Sequence, residues 1–194
     1  MTLPNKLTLL RVFLTFVTMG LLFTPGWIAK ASAFACFTVA SLTDWLDGWL
    51  ARRWNQRTPL GALLDPIADK VLVLGLFLAF IQLRLVPAWM VLIILLRELV
   101  MTGVRLFAAS RQVVLSAAWE GKHKTISQMV TIIVVLGVVW LREGLGPSGW
   151  GAGTDMFLRT LILGCMWITV ILTVISGASF FWRHRTVLFE TVTR

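Results

Sequence analysis

The sequence predicts an all-α integral membrane protein with six transmembrane helices. Hydrophobic residues make up 58% of its 194 residues, and the mean hydropathy of +0.84 exceeds what a water-soluble domain shows. Six apolar stretches also reach the length of about 20 residues that a bilayer crossing requires. They can be drawn at 8–27, 31–51, 63–83, 86–108, 125–142 and 157–181. Because they leave only short loops, we expect one membrane domain over residues 1–194, beginning with a short interfacial segment at about residues 1–8.

The distribution of charge supports this fold class and predicts an orientation. The formal net charge is +9, but the basic residues lie at the ends of the predicted spans, which favours a role in topology over a nucleic-acid partner. With the N-terminus in the cytoplasm, fourteen of the 18 Lys and Arg residues fall on the cytoplasmic side. The exceptions are Lys30, Arg84, Arg142 and Arg159. The positive-inside rule therefore predicts six spans with both termini in the cytoplasm.

The first span has features that a signal peptide would share. It has a basic flank and is followed by Ala31-Ser32-Ala33, which is typical of a cleavage site. Its apolar run is long for a signal peptide, so we expect an uncleaved transmembrane helix.

Four aspartates lie in the second and third spans, close to the connection between them. On a helix, Asp44 and Asp47 lie one turn apart on a single face, and Asp65 and Asp69 do so in the next helix. Residues 53–61 form a short polar connection, so we expect antiparallel neighbours. The four carboxylates then converge at the cytoplasmic end.

The start of the third helix has two interpretations. Proline is tolerated in a first helical turn, so Pro66 can lie there, with Asp65 as the capping residue. Alternatively, the helix begins earlier and bends at Pro66.

Aspartates in an apolar region need a compensating charge. Each Asp at the centre of a span costs roughly 2.5–3.5 kcal/mol, and less near the interface. Arg52 and Lys70 supply only two local positive charges, and crowded carboxylates repel one another. Ion pairs with arginines are one explanation, but an all-oxygen site is typical of a hard divalent cation. We therefore expect Mg²⁺, two ions in number, with Mn²⁺ as a substitute.

Further charged residues lie in and just after the fourth span. Arg97 and Glu98 lie inside the fourth span, and we expect Glu98 to pair with a nearby arginine. Lys122 and Lys124 follow this span and are expected in the next loop.

The aspartates on each of these two helix faces form an aspartate stripe. Written as one motif, the two stripes and the residues between them read Asp44-x2-Asp47-Gly48-x2-Ala51-Arg52-x8-Gly61-x3-Asp65-x3-Asp69. This pattern resembles the signature of the CDP-alcohol phosphotransferase family, and every fixed position of that signature is filled. The stretch from Leu3 to Arg11, the pair Arg97-Glu98 and the stretch from Gly121 to Thr125 resemble the bacterial branch that makes phosphatidylglycerol phosphate.

The resemblance implies transfer of a phosphatidyl group from CDP-diacylglycerol to sn-glycerol 3-phosphate, with release of CMP. By motif position, Asp44, Asp47 and Asp65 hold metal and, through it, the CDP pyrophosphate. Asp69 is implied to be a metal ligand and the general base. The chemistry would consist of positioning and electrostatic stabilisation. A homodimer in the bacterial cytoplasmic (inner) membrane is implied by the resemblance alone.

The resemblance also implies further residues that bind the CDP-lipid. Gly48 would let the nucleotide approach the helix backbone, unless it is a packing glycine. Arg52 suits a phosphate through its planar guanidinium, and Thr58 matches a family position associated with the lipid. Asn5 and Thr8 resemble the family's N-terminal motif and would contact the nucleotide; helix capping is the alternative.

Glycerol 3-phosphate is a doubly charged anion, so we expect a basic pocket beside the metal site. Arg97 and Arg105 are eight residues apart and lie close to one face of the fourth helix. We predict that they bind the acceptor phosphate together with Lys122 and Lys124, Arg105 and Lys122 above all. Each could instead contact lipid headgroups or set the topology.

Two other functions are compatible with the motif or its carboxylates. The signature does not distinguish between acceptors, so serine, inositol phosphate or phosphatidylglycerol could replace glycerol 3-phosphate. A divalent-cation transporter would also place carboxylates in a membrane. Transporters commonly have repeated halves, whereas no second aspartate-rich segment occurs in this sequence.

Overall fold

The computed structural model consists of six α-helices in the residues that it describes. Its backbone is described for residues 3–54, 59–111, 120–146 and 151–192, and its side chains for the same residues apart from 3–8, 44–54, 59–67, 69, 109–110, 120–122, 152 and 186–192. The helices are α1 (Leu3–Phe23), α2 (Trp27–Trp54), α3 (Pro59–Gln82), α4 (Ala88–Ser110), α5 (Glu120–Leu145) and α6 (Ala152–Val192). Each overlaps one predicted span, in the same order, which confirms the all-α prediction.

The connection between α2 and α3 is shorter than predicted. Helix α2 continues to Trp54 and α3 begins at Pro59, so the polar connection expected over 53–61 is reduced to 55–58, which lie outside the described residues. Pro59 is the first residue of its helix, where the missing N–H of proline costs little. Residues 53–54 and 59–61, which were expected in the connection, therefore belong to α2 and α3.

The early start of α3 decides between the two interpretations of Pro66. Pro66 lies in the helix interior, so its placement in the first turn was wrong and the alternative of an earlier start is confirmed. Asp65 is also interior, which makes its prediction as a capping residue wrong, because a capping residue precedes the first helical residue.

Helices α5 and α6 extend beyond the predicted spans. Because α5 begins at Glu120, Lys122 and Lys124 lie in its first two turns and their prediction as loop residues was wrong. An acidic residue at a helix N-terminus is favoured by the helix dipole, although it lowers the local hydropathy. Helix α6 has 41 residues, a length of about 60 Å, and so exceeds what a bilayer core of about 30 Å requires.

The turn between α1 and α2 is closed by a buried lysine. Lys30 donates from Nζ to the carbonyl oxygens of Leu22 and, at 2.8 Å, Thr24. The last carbonyls of a helix lack partners within the helix, so this ammonium group satisfies them. Gly26 provides the positive φ of 105° in the turn, and its N–H donates to Glu143 Oε1 at 2.7 Å. The α1–α2 turn thus contacts the end of α5.

Helix α3 ends in a Schellman motif with an arginine in the left-handed position. Arg84 has a φ of 56°. Its N–H donates to the carbonyl of Ile81 at 2.9 Å, and the N–H of Leu85 donates to Phe80 at 2.9 Å. These two bonds satisfy carbonyls at the helix end, and the chain then reverses into α4.

Helix α3 lies in the interior of the bundle, since it packs against α1, α4 and α5. Leu76, Phe77 and Phe80 are completely buried, and the two phenyl rings meet edge to face at 6.2 Å. At Gly75, an added Cβ would lie 3.1 Å from Cγ2 of Thr15, so α1 approaches α3 closely there and a larger residue would require Thr15 to shift. The helix that carries two of the aspartates is therefore held on several sides.

Hydroxyl groups join α5 to α6. The Oγ1 atoms of Thr131 and Thr169 are 2.8 Å apart, and the Thr169 hydroxyl lies 3.1 Å from the carbonyl of Ser127. Both threonines are buried. Interhelical hydrogen bonds of this kind stabilise helix pairs where the surroundings are apolar.

Large apolar side chains cover the outside of the bundle. Phe13, Phe157 and Trp182 are 63%, 66% and 74% exposed. Within the described side chains, segments 123–145 and 153–185 are long and apolar enough to cross a membrane. Such an exterior is unfavourable in water and is suited to lipid.

Candidate active site

The helices that carry the four aspartates are continuous through the predicted site. Asp44 and Asp47 lie in α2, and Asp65 and Asp69 lie in α3, all on helical backbone. Spacings of three and four residues place each pair on one face of its helix. The four side chains lie outside the described part of the structure, so their convergence stays a prediction. Among the side chains that are described, no group of three or more His, Cys, Asp and Glu is suited to a metal ion.

The two aspartate-bearing helices, α2 and α3, have two neighbours in common. Each of them packs against α1 and against α5. On α3, Ala68 and Leu72, which precede and follow Asp69, are buried. This end of α3 is therefore part of the packed interior.

The other residues predicted to bind the CDP-lipid lie mainly on helices α1 and α2. Gly48 and Arg52 are on α2, and Asn5 and Thr8 are on α1, where the backbone is described and the side chains are not. Thr58 lies outside the described residues. Asn5 and Thr8 are the third and sixth residues of α1, so the capping alternative was wrong for both, because a capping residue precedes the first helical residue.

A buried ionic cluster, formed by Arg97, Glu98 and Lys124, lies between α4 and α5. Arg97 Nη1 donates to Glu98 Oε1 at 3.1 Å, and Lys124 Nζ donates to the same oxygen. The side chains of Arg97, Glu98 and Lys124 are only 14%, 10% and 7% exposed. The predicted pairing of Glu98 with an arginine is confirmed, and Lys124 is a second partner that sequence reasoning did not include.

Arg97 extends the buried ionic cluster to α6. Its Nη2 donates to Ser176 Oγ at 2.8 Å. An added Cβ at Gly177 would lie 3.4 Å from Arg97 Cγ, so the side chain of Arg97 passes directly over this glycine. The Nε atom of Arg97 is buried and has no hydrogen-bond partner among the described residues. The guanidinium thus retains a donor for a further group.

A second contact links the cluster to α3. Lys70 Nζ donates to Thr102 Oγ1, and the Thr102 hydroxyl donates to the carbonyl oxygen of Glu98 at 2.7 Å. Lys70 directly follows Asp69 in the chain. The buried ionic cluster is therefore connected to the end of α3 that carries an aspartate stripe.

Arg105 lies two turns further along α4 and also faces α6. Its guanidinium carbon is 5.6 Å from the centroid of the Phe180 ring, which in turn packs against His184 at 4.5 Å. Arg97 and Arg105 both contact α6, as their eight-residue spacing predicts. The structure brings Arg97 together with Lys124, while Arg105 is exposed. Lys122 has its backbone on α5, and its side chain is not among those described.

Sequence reasoning did not include Glu98, Thr102 or Ser176 in the site. An ionisable residue within a span requires a partner, so Glu98 was itself a usable signal. The two hydroxyls carried no such signal, because serine and threonine in helices commonly bond to their own backbone.

A model of the CDP-alcohol phosphatidyltransferase family matches residues 1–175, so the chain belongs to this family of membrane transferases in phospholipid synthesis. The chain is similar over nearly its whole length to CDP-diacylglycerol–glycerol-3-phosphate 3-phosphatidyltransferases. The one from Bacillus subtilis is 34% identical and covers 94% of each chain. The one from Rickettsia typhi is 33% identical over 92% of this chain and 94% of its own. The one from Cereibacter sphaeroides is 31% identical over 93% and 94%.

Proposed function

We propose that the chain transfers the phosphatidyl group of CDP-diacylglycerol to sn-glycerol 3-phosphate, giving phosphatidylglycerol phosphate and CMP. The observation that carries this proposal is the full-length similarity to three transferases named for this reaction. The complete aspartate motif on two continuous helices supports the same chemistry.

The donor set fits a hard divalent cation. Asp44, Asp47, Asp65 and Asp69 offer only carboxylate oxygens, and their helices are separated by the four residues 55–58. These aspartates would hold Mg²⁺, two ions in number, with Mn²⁺ as a substitute. When bound, the metal supplies positive charge that stabilises the pyrophosphate and the departing CMP.

Asp69 is the general base in this mechanism. It takes the proton from the acceptor hydroxyl as that oxygen forms a bond to the phosphorus attached to diacylglycerol. The bond from this phosphorus to the oxygen of CMP breaks, and CMP leaves with its electron pair. No covalent enzyme intermediate is needed, because positioning and charge stabilisation suffice for this type of transfer.

The CDP-lipid is bound along α1 and α2. Gly48 leaves room for the nucleotide at the helix backbone, and Arg52 binds a phosphate through its guanidinium. Thr58, Asn5 and Thr8 complete this site. The lipid tails stay in the bilayer while the pyrophosphate reaches the aspartates.

The acceptor phosphate is bound by basic residues on α4 and α5. Arg97 and Lys124 support this assignment because they meet at Glu98, and their combined charge exceeds that of the carboxylate by one. Arg105 and Lys122 lie on the same two helices. Cations in a partly dehydrated site attract a phosphate dianion more strongly than the same charges would in water.

The proposed topology follows from the charge distribution. All six helices cross the bacterial cytoplasmic membrane, both termini are cytoplasmic, and the active site faces the cytoplasm, where glycerol 3-phosphate is dissolved. The protein acts as a homodimer surrounded by membrane lipid and has no nucleic-acid partner.

Release of CMP by the detergent-purified protein tests the function. CDP-diacylglycerol and Mg²⁺ are supplied with glycerol 3-phosphate, serine, inositol phosphate or phosphatidylglycerol in turn. We expect turnover with glycerol 3-phosphate alone, its loss in EDTA and its recovery with Mg²⁺ or Mn²⁺. Turnover with another acceptor would refute the acceptor assignment, and full activity in metal-free buffer would refute the metal site.

The general base is tested by Asp69→Asn. We expect this variant to lose turnover while it still binds CDP-diacylglycerol, because the amide cannot accept the proton. Normal turnover would remove Asp69 from this role.

A further inference from the structure

The buried ionic cluster has a single carboxylate that holds two cations by the same oxygen. Glu98 Oε1 accepts from Arg97 Nη1 at 3.1 Å and from Lys124 Nζ. The carboxylate and both cations are nearly buried. Two cations drawn to one oxygen would repel each other without the carboxylate between them.

This arrangement has a desolvation cost that apolar side chains at the same positions would not have. Removing a charged pair from water costs several kcal/mol per ion, and buried pairs are often replaced by apolar residues without loss of stability. Glu98 is thus poorly explained as a device for stability alone. Its position between two cations of the proposed acceptor site offers a different explanation.

Glu98 also determines where the lysine ammonium group lies. A lysine near the end of a membrane helix normally extends toward the interface and keeps its charge in water. Lys124 instead directs its ammonium inward and is 6% exposed. The ion pair with Glu98 holds this ammonium group inside the bundle.

The cluster is further connected to neighbouring helices. Arg97 is held by Ser176 of α6, while the backbone of Glu98 accepts from Thr102, which binds Lys70 of α3. Glu98 consequently lies at the point where contacts from α3, α5 and α6 meet α4. A charge placed this way can orient the donors of two helices at once.

We infer that Glu98 is a positioning residue for the acceptor substrate, which holds Arg97 and Lys124 in the geometry that binds the phosphate of glycerol 3-phosphate. This inference rests on the proposed function. Glu98 does not touch the substrate; it acts by fixing the two cations before the substrate arrives. Donors that are already oriented need no rearrangement on binding, which favours affinity.

The test is the kinetics of Glu98→Gln and Glu98→Asp with both substrates varied. Glutamine keeps the size and removes the charge; aspartate keeps the charge and shortens its reach. We expect Glu98→Gln to raise the KM for glycerol 3-phosphate at least about tenfold, equivalent to about 1.4 kcal/mol, with the KM for CDP-diacylglycerol nearly unchanged. Glu98→Asp should give an intermediate KM for glycerol 3-phosphate.

Two further variants make the result specific. Asp155→Asn removes a carboxylate that also lies between two cations, Arg142 and Arg159, but at the surface, and should leave both KM values unchanged. In a Lys124→Gln background, Glu98→Gln should raise the KM for glycerol 3-phosphate less than in the wild type, because the residue through which it acts is gone.

The possible outcomes separate this inference from the proposed function. Wild-type inactivity with glycerol 3-phosphate would refute the proposed function itself. With an active wild type, equal effects on both KM values would reduce Glu98 to a structural role. A lower KM for glycerol 3-phosphate would show that Glu98 competes with the phosphate, and either result overturns the inference. If Glu98→Gln does not fold, an unchanged acceptor KM in Glu98→Asp overturns it as well.

Discussion

Two clusters in this protein have the same charges and different surroundings. In the buried ionic cluster, Glu98 lies between Arg97 and Lys124. At the other end of α5, Asp155 lies between Arg142, at 3.6 Å, and Arg159, at 2.8 Å. Glu98 is 10% exposed and Asp155 is 35% exposed, while Arg142 and Arg159 are 50% and 64% exposed. We call the second group the surface ionic cluster.

Because of this difference, we expect burial, and not the number of ion pairs, to determine what each cluster contributes to stability. Charges in water are screened, and an exposed pair typically contributes about 0–1 kcal/mol. In a dehydrated interior the same attraction is several times stronger, and a charge left without its partner is expensive. The buried ionic cluster should therefore respond strongly to substitution and the surface ionic cluster weakly.

The two clusters also differ in what they connect. Asp155 pairs with Arg159, four positions along its own helix, and with Arg142 near the end of α5. The buried ionic cluster joins α4 to α5 and to α6. Of these two clusters, the buried one is also linked to the aspartate-bearing α3, through Thr102 and Lys70.

The largest effect is expected for Glu98→Ala. Removing the carboxylate leaves two buried cations without their common partner, and we expect the free energy of unfolding to fall by about 3–5 kcal/mol. The measurement is a denaturant titration in detergent, followed through the fluorescence of the 10 tryptophans. As a control, the double variant Glu98→Ala/Lys124→Met should lose less free energy of unfolding than the two single variants lose in total. A loss below about 1 kcal/mol in Glu98→Ala would make the two clusters equivalent.

An intermediate effect is expected for Ser176→Ala. This change removes the hydroxyl that accepts from Arg97 Nη2 at 2.8 Å, and a hydrogen bond to a charged group contributes about 1.5–3 kcal/mol. The same titration measures the loss. Ser127→Ala is a suitable control, because the Ser127 hydroxyl bonds within its own helix. Equal losses in both variants would contradict a specific role for the contact with Arg97.

The smallest effect is expected for Asp155→Asn. We expect a loss below about 1 kcal/mol that shrinks further as salt is raised, because exposed charges are screened within about 10 Å at 0.1 M ionic strength. The titration is repeated at low and high salt. A loss as large as that of Glu98→Ala, or one insensitive to salt, would show that burial is not the feature that distinguishes the clusters.

Much of the fold could be predicted from the sequence because it depends on local properties. The apolar runs located all six helices, and the spacing of Asp44, Asp47, Asp65 and Asp69 was sufficient to identify the motif. Helix ends were less predictable. Hydropathy placed the start of α5 after Lys124, yet the helix begins at Glu120, an acidic residue that the helix dipole favours at this end.

In the candidate site, too, local features could be predicted and contacts between distant helices could not. Residues within one motif could be related by their spacing alone. The pairing of Glu98 with Lys124, and of Arg97 with Ser176, depends on helices that are distant in sequence. No local pattern indicates which of several basic residues reaches a given carboxylate.

Hydropathy along the chain is enough to predict the helical class and the order of the helices, and the resemblance of the aspartate motif to a known signature is enough to predict membership of a transferase family. These properties are local to each segment and require no knowledge of packing. The packing of the helices was needed to show that Lys124 turns inward, that Arg97 passes over Gly177 to reach Ser176, and that one carboxylate joins the two cations. Such contacts arise when packed helices exclude solvent, because the partner of a buried charge is then limited to the few groups within reach.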